Sequence, residues 1–142
     1  MQSLLTLLGA VLGGSLVLLG DLIRRRVERR KANVTRLVEA SSRLSSMYNR
    51  LCGEILDAAI AGVAVTDLAI PDPLRFELVT QFYMTPGSEQ LRSRASRLIG
   101  AYGQLRDAYG TDSAWAAARD EHGLALREFE SAVREIVHRD HI

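Results

Sequence analysis

An almost uncharged apolar run, Leu4 to Gly20, passes at once into the basic cluster Arg24-Arg25-Arg26-Val27-Glu28-Arg29-Arg30-Lys31. The run holds 17 residues and extending it past Asp21 to Ile23 gives 20, which at the helical rise is roughly 25 to 30 Å of helix. That length predicts a single transmembrane anchor over residues 1–23. Asp21 then falls at the headgroup boundary, where a carboxylate beside arginines costs little. A secretory leader is disfavoured because Met1-Gln2-Ser3 carries no side-chain cation and no small-x-small cleavage site follows the core. A lipoprotein anchor is disfavoured because the only cysteine is Cys52, and a buried soluble-core helix is the remaining alternative.

Cations beside a span stay on the cytoplasmic side. Arg24, Arg25, Arg26, Arg29, Arg30 and Lys31 therefore predict an N-terminus outside, a cytoplasmic C-terminal domain in the cell membrane, and contact with anionic lipid headgroups. The Asn33-Val34-Thr35 sequon is read as chance, since a cytoplasmic site meets no glycosylation machinery. Within the run, Gly9 and Gly13, with Ala10 and Gly14 one residue on, set small side chains four apart. Such a face lets a second membrane helix approach closely, and predicts transmembrane association.

Beyond the anchor about 120 residues remain, enough for one modest core. The formal net charge is +1, so no global field marks a nucleic-acid binder; the basicity is local. One cysteine excludes an internal disulfide framework. Arginine outnumbers lysine 17 to 1, the mark of a GC-rich coding genome and hence of a bacterial source.

No proline occurs before Pro71, and over that stretch Val27, Val34, Leu37, Leu44, Tyr48, Leu51, Ile55, Ala58 and Val65 form a seam at spacings of three and four. Arg30, Ser41 and Gly62 interrupt it. The spacing predicts one long helix over 24–70. Ile70-Pro71-Asp72-Pro73 marks a boundary, with Asp72 and Pro73 suited to start a new helix. Leu74, Leu78 and Phe82 share one side of that helix, although Phe76, Leu78, Thr80 and Phe82 also alternate as in a strand. Helix is preferred, since a lone strand leaves its backbone unpaired. After the connecting segment 71–87, a helical hairpin over 88–142 should pack on 24–70. Its first seam is Leu91, Ala95, Leu98, Tyr102, Leu105 and Tyr109. Gly110 and Thr111 or Asp112 supply the turn, and Trp115, Ala118, Ala125, Phe129, Ala132 and Ile136 the second seam, broken by His122. The fold class expected is all-α: an N-terminal transmembrane helix continuing into an elongated antiparallel bundle of three or four helices.

Chemical candidates are sparse. Glu135-Ile136-Val137-His138 has the spacing of a di-iron helix but lacks a second pair, so no metal and no cofactor is expected. His122 invites a pH-sensing or catalytic role, and more often such a residue is satisfied by a neighbouring helix. Arg92, Arg94 and Arg97 read as a solvated helix face. Phosphate loops, dinucleotide fingerprints, zinc spacings and nucleophile elbows are all missing, and an enzyme is not expected. The function these residues point to is a non-catalytic, membrane-anchored docking or oligomerisation protein, forming homo-oligomers or binding a protein partner, with no nucleic acid. The rival is a pore-forming or toxin-like membrane effector regulated by its bundle. A third reading is a small-ligand sensor with a crevice near His122.

Overall fold

The computed structural model describes the backbone of residues 2–63 and 72–140, with side chains over 15–63 and 73–139. These residues form helices α1 (Gln2–Ala61), α2 (Asp72–Met84), α3 (Arg92–Asp107) and α4 (Asp112–Asp140), with a 3₁₀ turn at Ser88–Gln90 and no strand among them. The seam residue Val65 and the boundary residues Ile70 and Pro71 lie outside the described residues. The chain divides into two compact units, residues 1–33 and 34–142, and α1 contributes to both.

Each helix end follows from local chemistry. α1 stops where Gly62 takes φ +69° and the Val63 amide donates to the Ala58 carbonyl at 3.0 Å. This is the left-handed glycine stop that satisfies an orphan carbonyl of the last turn. Between α2 and α3, Gly87 takes φ +86°, and a Cβ there would stand 3.3 Å from the Leu37 side chain, so glycine meets both a dihedral and a space requirement. The fully buried Ser88 fixes the same turn by donating its hydroxyl to the Tyr83 carbonyl at 3.1 Å. Gly110, at φ +78°, ends the α3 connection, and the Thr111 carbonyl accepts from the Trp115 amide at 3.0 Å as α4 begins. The ambiguous 73–84 segment is helical: Phe76 is 74% exposed while Phe82 is fully buried, whereas alternation would place both on one strand face.

Within the unit 34–142 the seams meet. α1 buries Leu37, Leu44, Tyr48, Leu51, Ile55 and Ala58; α3 buries Leu91, Ala95, Leu98, Tyr102 and Leu105 at and after its start; α4 buries Ala118, Ala125, Phe129, Ala132 and Ile136. Val34, Tyr109 and Trp115 pack half-buried against this core. Met47, off the predicted seam, is buried as well. Full burial of a large apolar side chain contributes about 1.5–3 kcal/mol, and edge-to-face aromatic pairs add about 0.5–1.5 kcal/mol. Two such pairs join different helices, Tyr48 with Tyr102 at 5.5 Å and Phe82 with Phe129 at 5.7 Å, and a third, Tyr109 with Trp115 at 5.9 Å, joins the turn after α3 to α4.

The same contacts give helix directions. Gly87 meets Leu37, Tyr102 meets Tyr48, and the Tyr109 hydroxyl donates to the Val63 carbonyl, so α3 runs alongside α1 in the same sense. Arg97 reaches Glu121 and Glu128 while Tyr109 meets Trp115, so α4 returns against α3. α2 starts at the level of Tyr48, where Arg75 and Phe76 line a crevice with it, and ends near Leu37, so it opposes α1. Direction alternates along the chain.

One expectation is overturned. Among the described residues no helix is long and apolar enough to cross a membrane. Over the described side chains the apolar residues from Leu16 to Ile23 give way to the arginine cluster at Arg24. Asp21, ion-paired to Arg25, lies within that stretch. The single-pass membrane assignment over 1–23 is therefore not supported, and the inferred orientation, N-terminus outside and C-terminal domain cytoplasmic in the cell membrane, falls with it.

Candidate functional site

In the unit 1–33, the side chains of Leu16, Val17, Leu18, Leu19, Leu22, Ile23 and Val27 stand between 47% and 72% exposed. Four of them are consecutive, and successive residues step by 100° around a helix, so apolar surface faces every direction. A helix apolar all round is one that other structure normally buries. The next turns carry the six expected cations, all exposed. Against Asp21 and Glu28 they leave a local net charge of +4 over residues 21–31. Asp21 holds Arg25 at 3.0 Å and Glu28 holds Arg24 at 3.0 Å, i to i+4 pairs that support the helix by a few tenths of a kcal/mol. Gly9, Ala10, Gly13 and Gly14 belong to α1, but the association face assigned to them lies outside the residues whose side chains are described.

The bundle buries two polar side chains whose atoms find no hydrogen-bond partner among the described residues, Ser41 Oγ and His122 Nε2. His122 is 2% exposed on the α4 face that carries Ala118 and Ala125, and burial holds its imidazole below the ordinary histidine range. Ser41 borders a hollow of about 250 Å³ between α1 and α4, shared with Ser45, Phe129, Glu130 and Arg134. The Ser45 hydroxyl is turned to the Ser42 carbonyl at 3.2 Å. Cys52 is half-buried, and burial pushes its thiol up, which reduces the thiolate that would act as nucleophile or metal ligand. Glu135 lies 3.7 Å from Arg139. Among the described residues no three metal-ligating side chains come together, and His141 lies outside them.

The α3 arginines differ from one another in a way their spacing conceals. Arg97 donates Nε to Glu121 at 2.9 Å and also binds Glu128, tying α3 to α4 across an exposed edge. Hydrogen bonding to Glu121, then to Glu128, drives its guanidinium still further toward the charged form. Arg92 lies over the Tyr83 ring at 5.9 Å and donates to the Tyr83 carbonyl at 3.4 Å. Neither could be found from the sequence, because their partners come from other elements.

Sequence reasoning also missed a crevice of about 590 Å³ among α1, α2 and α3, where Tyr48 and Tyr102 stand near Arg75 and Arg106. Its lining is scattered over 60 residues of chain, with no local signature. The chain matches no protein-family model, no curated protein and no solved structure.

Proposed function

We propose that this chain is a non-catalytic helical docking or oligomerisation module whose docking element is the 16–31 stretch of α1. The observation that carries the reading is the set of large apolar side chains from Leu16 to Val27, exposed on all sides of one helix. At about 25 cal/mol per Å², covering such a stretch with partner helices releases free energy in proportion to the apolar area removed from water. The antiparallel helical packing of residues 34–142 serves as the scaffold. The rival, a pore-forming or toxin-like membrane effector, has no span among the described residues to support it.

Sedimentation velocity of the full chain tests this. The parent should sediment as an oligomer at micromolar concentration, and the Leu19→Glu/Ile23→Glu double variant as a monomer with the same far-UV circular dichroism. A monomeric parent, or a variant that associates like the parent, would overturn the oligomerisation reading.

The local charge of +4 favours a second contact, with anionic headgroups touched from outside a bilayer. Each cation near such a surface contributes on the order of 1 kcal/mol, weakening with salt. In flotation with phosphatidylcholine vesicles containing about one third phosphatidylglycerol, binding should fall steeply as salt rises. It should also vanish when Arg24, Arg25, Arg26, Arg29, Arg30 and Lys31 are replaced by glutamine. Salt-independent flotation would remove the headgroup contact.

A further inference from the structure

We propose that the crevice among α1, α2 and α3 binds a small organic anion with an apolar body, such as an aromatic carboxylate. At about 590 Å³ it falls in the size range of small-molecule sites, roughly 300–1,000 Å³. Phe76, Val79 and Ile99 give it apolar walls, and the rings of Tyr48 and Tyr102, already edge to face at 5.5 Å, close one side. A flat ring entering here extends an existing aromatic cluster, an arrangement that aromatic quadrupoles favour.

Charge selects the other half of the ligand. Arg75 and Arg106 line the crevice with Asp107, so its ionisable side chains sum to one positive charge, which a monoanion neutralises. A guanidinium presents a planar fork that pairs with a carboxylate through two hydrogen bonds. Burial pushes the Tyr48 hydroxyl up to about 12 despite the opposing charge of Arg75.

Gly103 lines the same crevice. It sits inside α3, where glycine weakens a helix relative to alanine. No atom lies within 4 Å of where its Cβ would be, so no close backbone approach requires the glycine. What its missing side chain leaves is room in the crevice, on the wall beside Tyr102.

The test is calorimetric titration of the full chain with naphthoate and with its neutral analogue naphthalenemethanol. Naphthoate should bind at a single saturable site, and more tightly than the alcohol. Gly103→Leu, a helix-favouring change whose Cβ meets no atom within 4 Å, should weaken naphthoate by about tenfold or more while leaving the thermal melt at or above that of the parent. Arg106→Gln should weaken naphthoate by about tenfold, the usual size of a charge-assisted hydrogen bond, and leave the alcohol within about twofold. Equal affinity for acid and alcohol would overturn the anion preference. Naphthoate binding unchanged by Gly103→Leu would place the ligand elsewhere, for instance on the exposed apolar stretch of α1, and overturn the site. No saturable binding at millimolar ligand would overturn both.

Discussion

Phe129→Ala should lower the unfolding free energy by about 3–5 kcal/mol, a large share of the roughly 5–15 kcal/mol that holds a domain of this size. Phe129 is fully buried on α4, with its ring edge to face with Phe82 of α2 and with Ser41 and Ser45 of α1 across the adjoining hollow. One side chain therefore joins three helices, and its removal uncouples α2 and α4 as well as opening a cavity. The serines bordering the hollow would hydrogen-bond entering water, which sets the expected cost nearer the lower end of the range. Urea unfolding followed by circular dichroism measures it. Phe76→Ala, at a side chain 74% exposed, is the control and should stay within about 0.5 kcal/mol of the parent. A Phe129 effect as small as the control's would mean that α4 is not packed as described.

Acid should weaken the bundle through His122. Burial lowers its imidazole below the unfolded value near 6.5, so on acidification the unfolded chain takes up the proton first. Stability from this residue is therefore complete above about pH 6.5 and is lost as pH falls from there through the lower folded value, with a slope no steeper than about 1.4 kcal/mol per pH unit. The buried Nε2 also has no hydrogen-bond partner among the described residues. Urea midpoints between about pH 5 and pH 8 should show this decline in the parent, and His122→Leu should remove one proton's worth of it while staying within about 1 kcal/mol at neutral pH. Identical pH profiles for parent and variant would show that protonation of His122 is not coupled to folding.

Helix content was legible because heptad spacing is a local property. Leu37, Leu44 and Leu51, or Leu91, Leu98 and Leu105, announce a buried stripe without knowledge of what covers it, and the structure buries all six. The short helix α2 was less legible, since Phe76, Leu78, Thr80 and Phe82 satisfy both periods; only a neighbouring ring, Phe129, decides that Phe82 faces inward and Phe76 outward. Ser41 and His122 looked like breaks in their seams and are instead buried within them. Hydropathy gives a residue's preference, and a preference is overridden when neighbours on both sides are held in place by stronger contacts. The membrane anchor was read from the length and hydropathy of the run from Leu4, whereas among the described residues no helix is long and apolar enough to cross a membrane. The Tyr48 crevice and the bridging role of Arg97 were illegible for a different reason: each is made by residues far apart in sequence that only the completed fold brings together.

The alternation of helix direction also bears on how quickly the bundle assembles. Because α4 docks against α3 through a turn of only a few residues, Ala108 to Thr111, that pair can form after closing the shortest of loops. Each doubling of loop length costs only about 0.6 kcal/mol, yet a search through short loops is far faster than one through long ones, and helical folds rich in near-neighbour contacts reach the native state in roughly microseconds to milliseconds. The hairpin of α3 and α4 then offers α1 a ready-made groove, so when the full chain refolds the long seam of Leu37 to Ala58 has a preformed surface to close on.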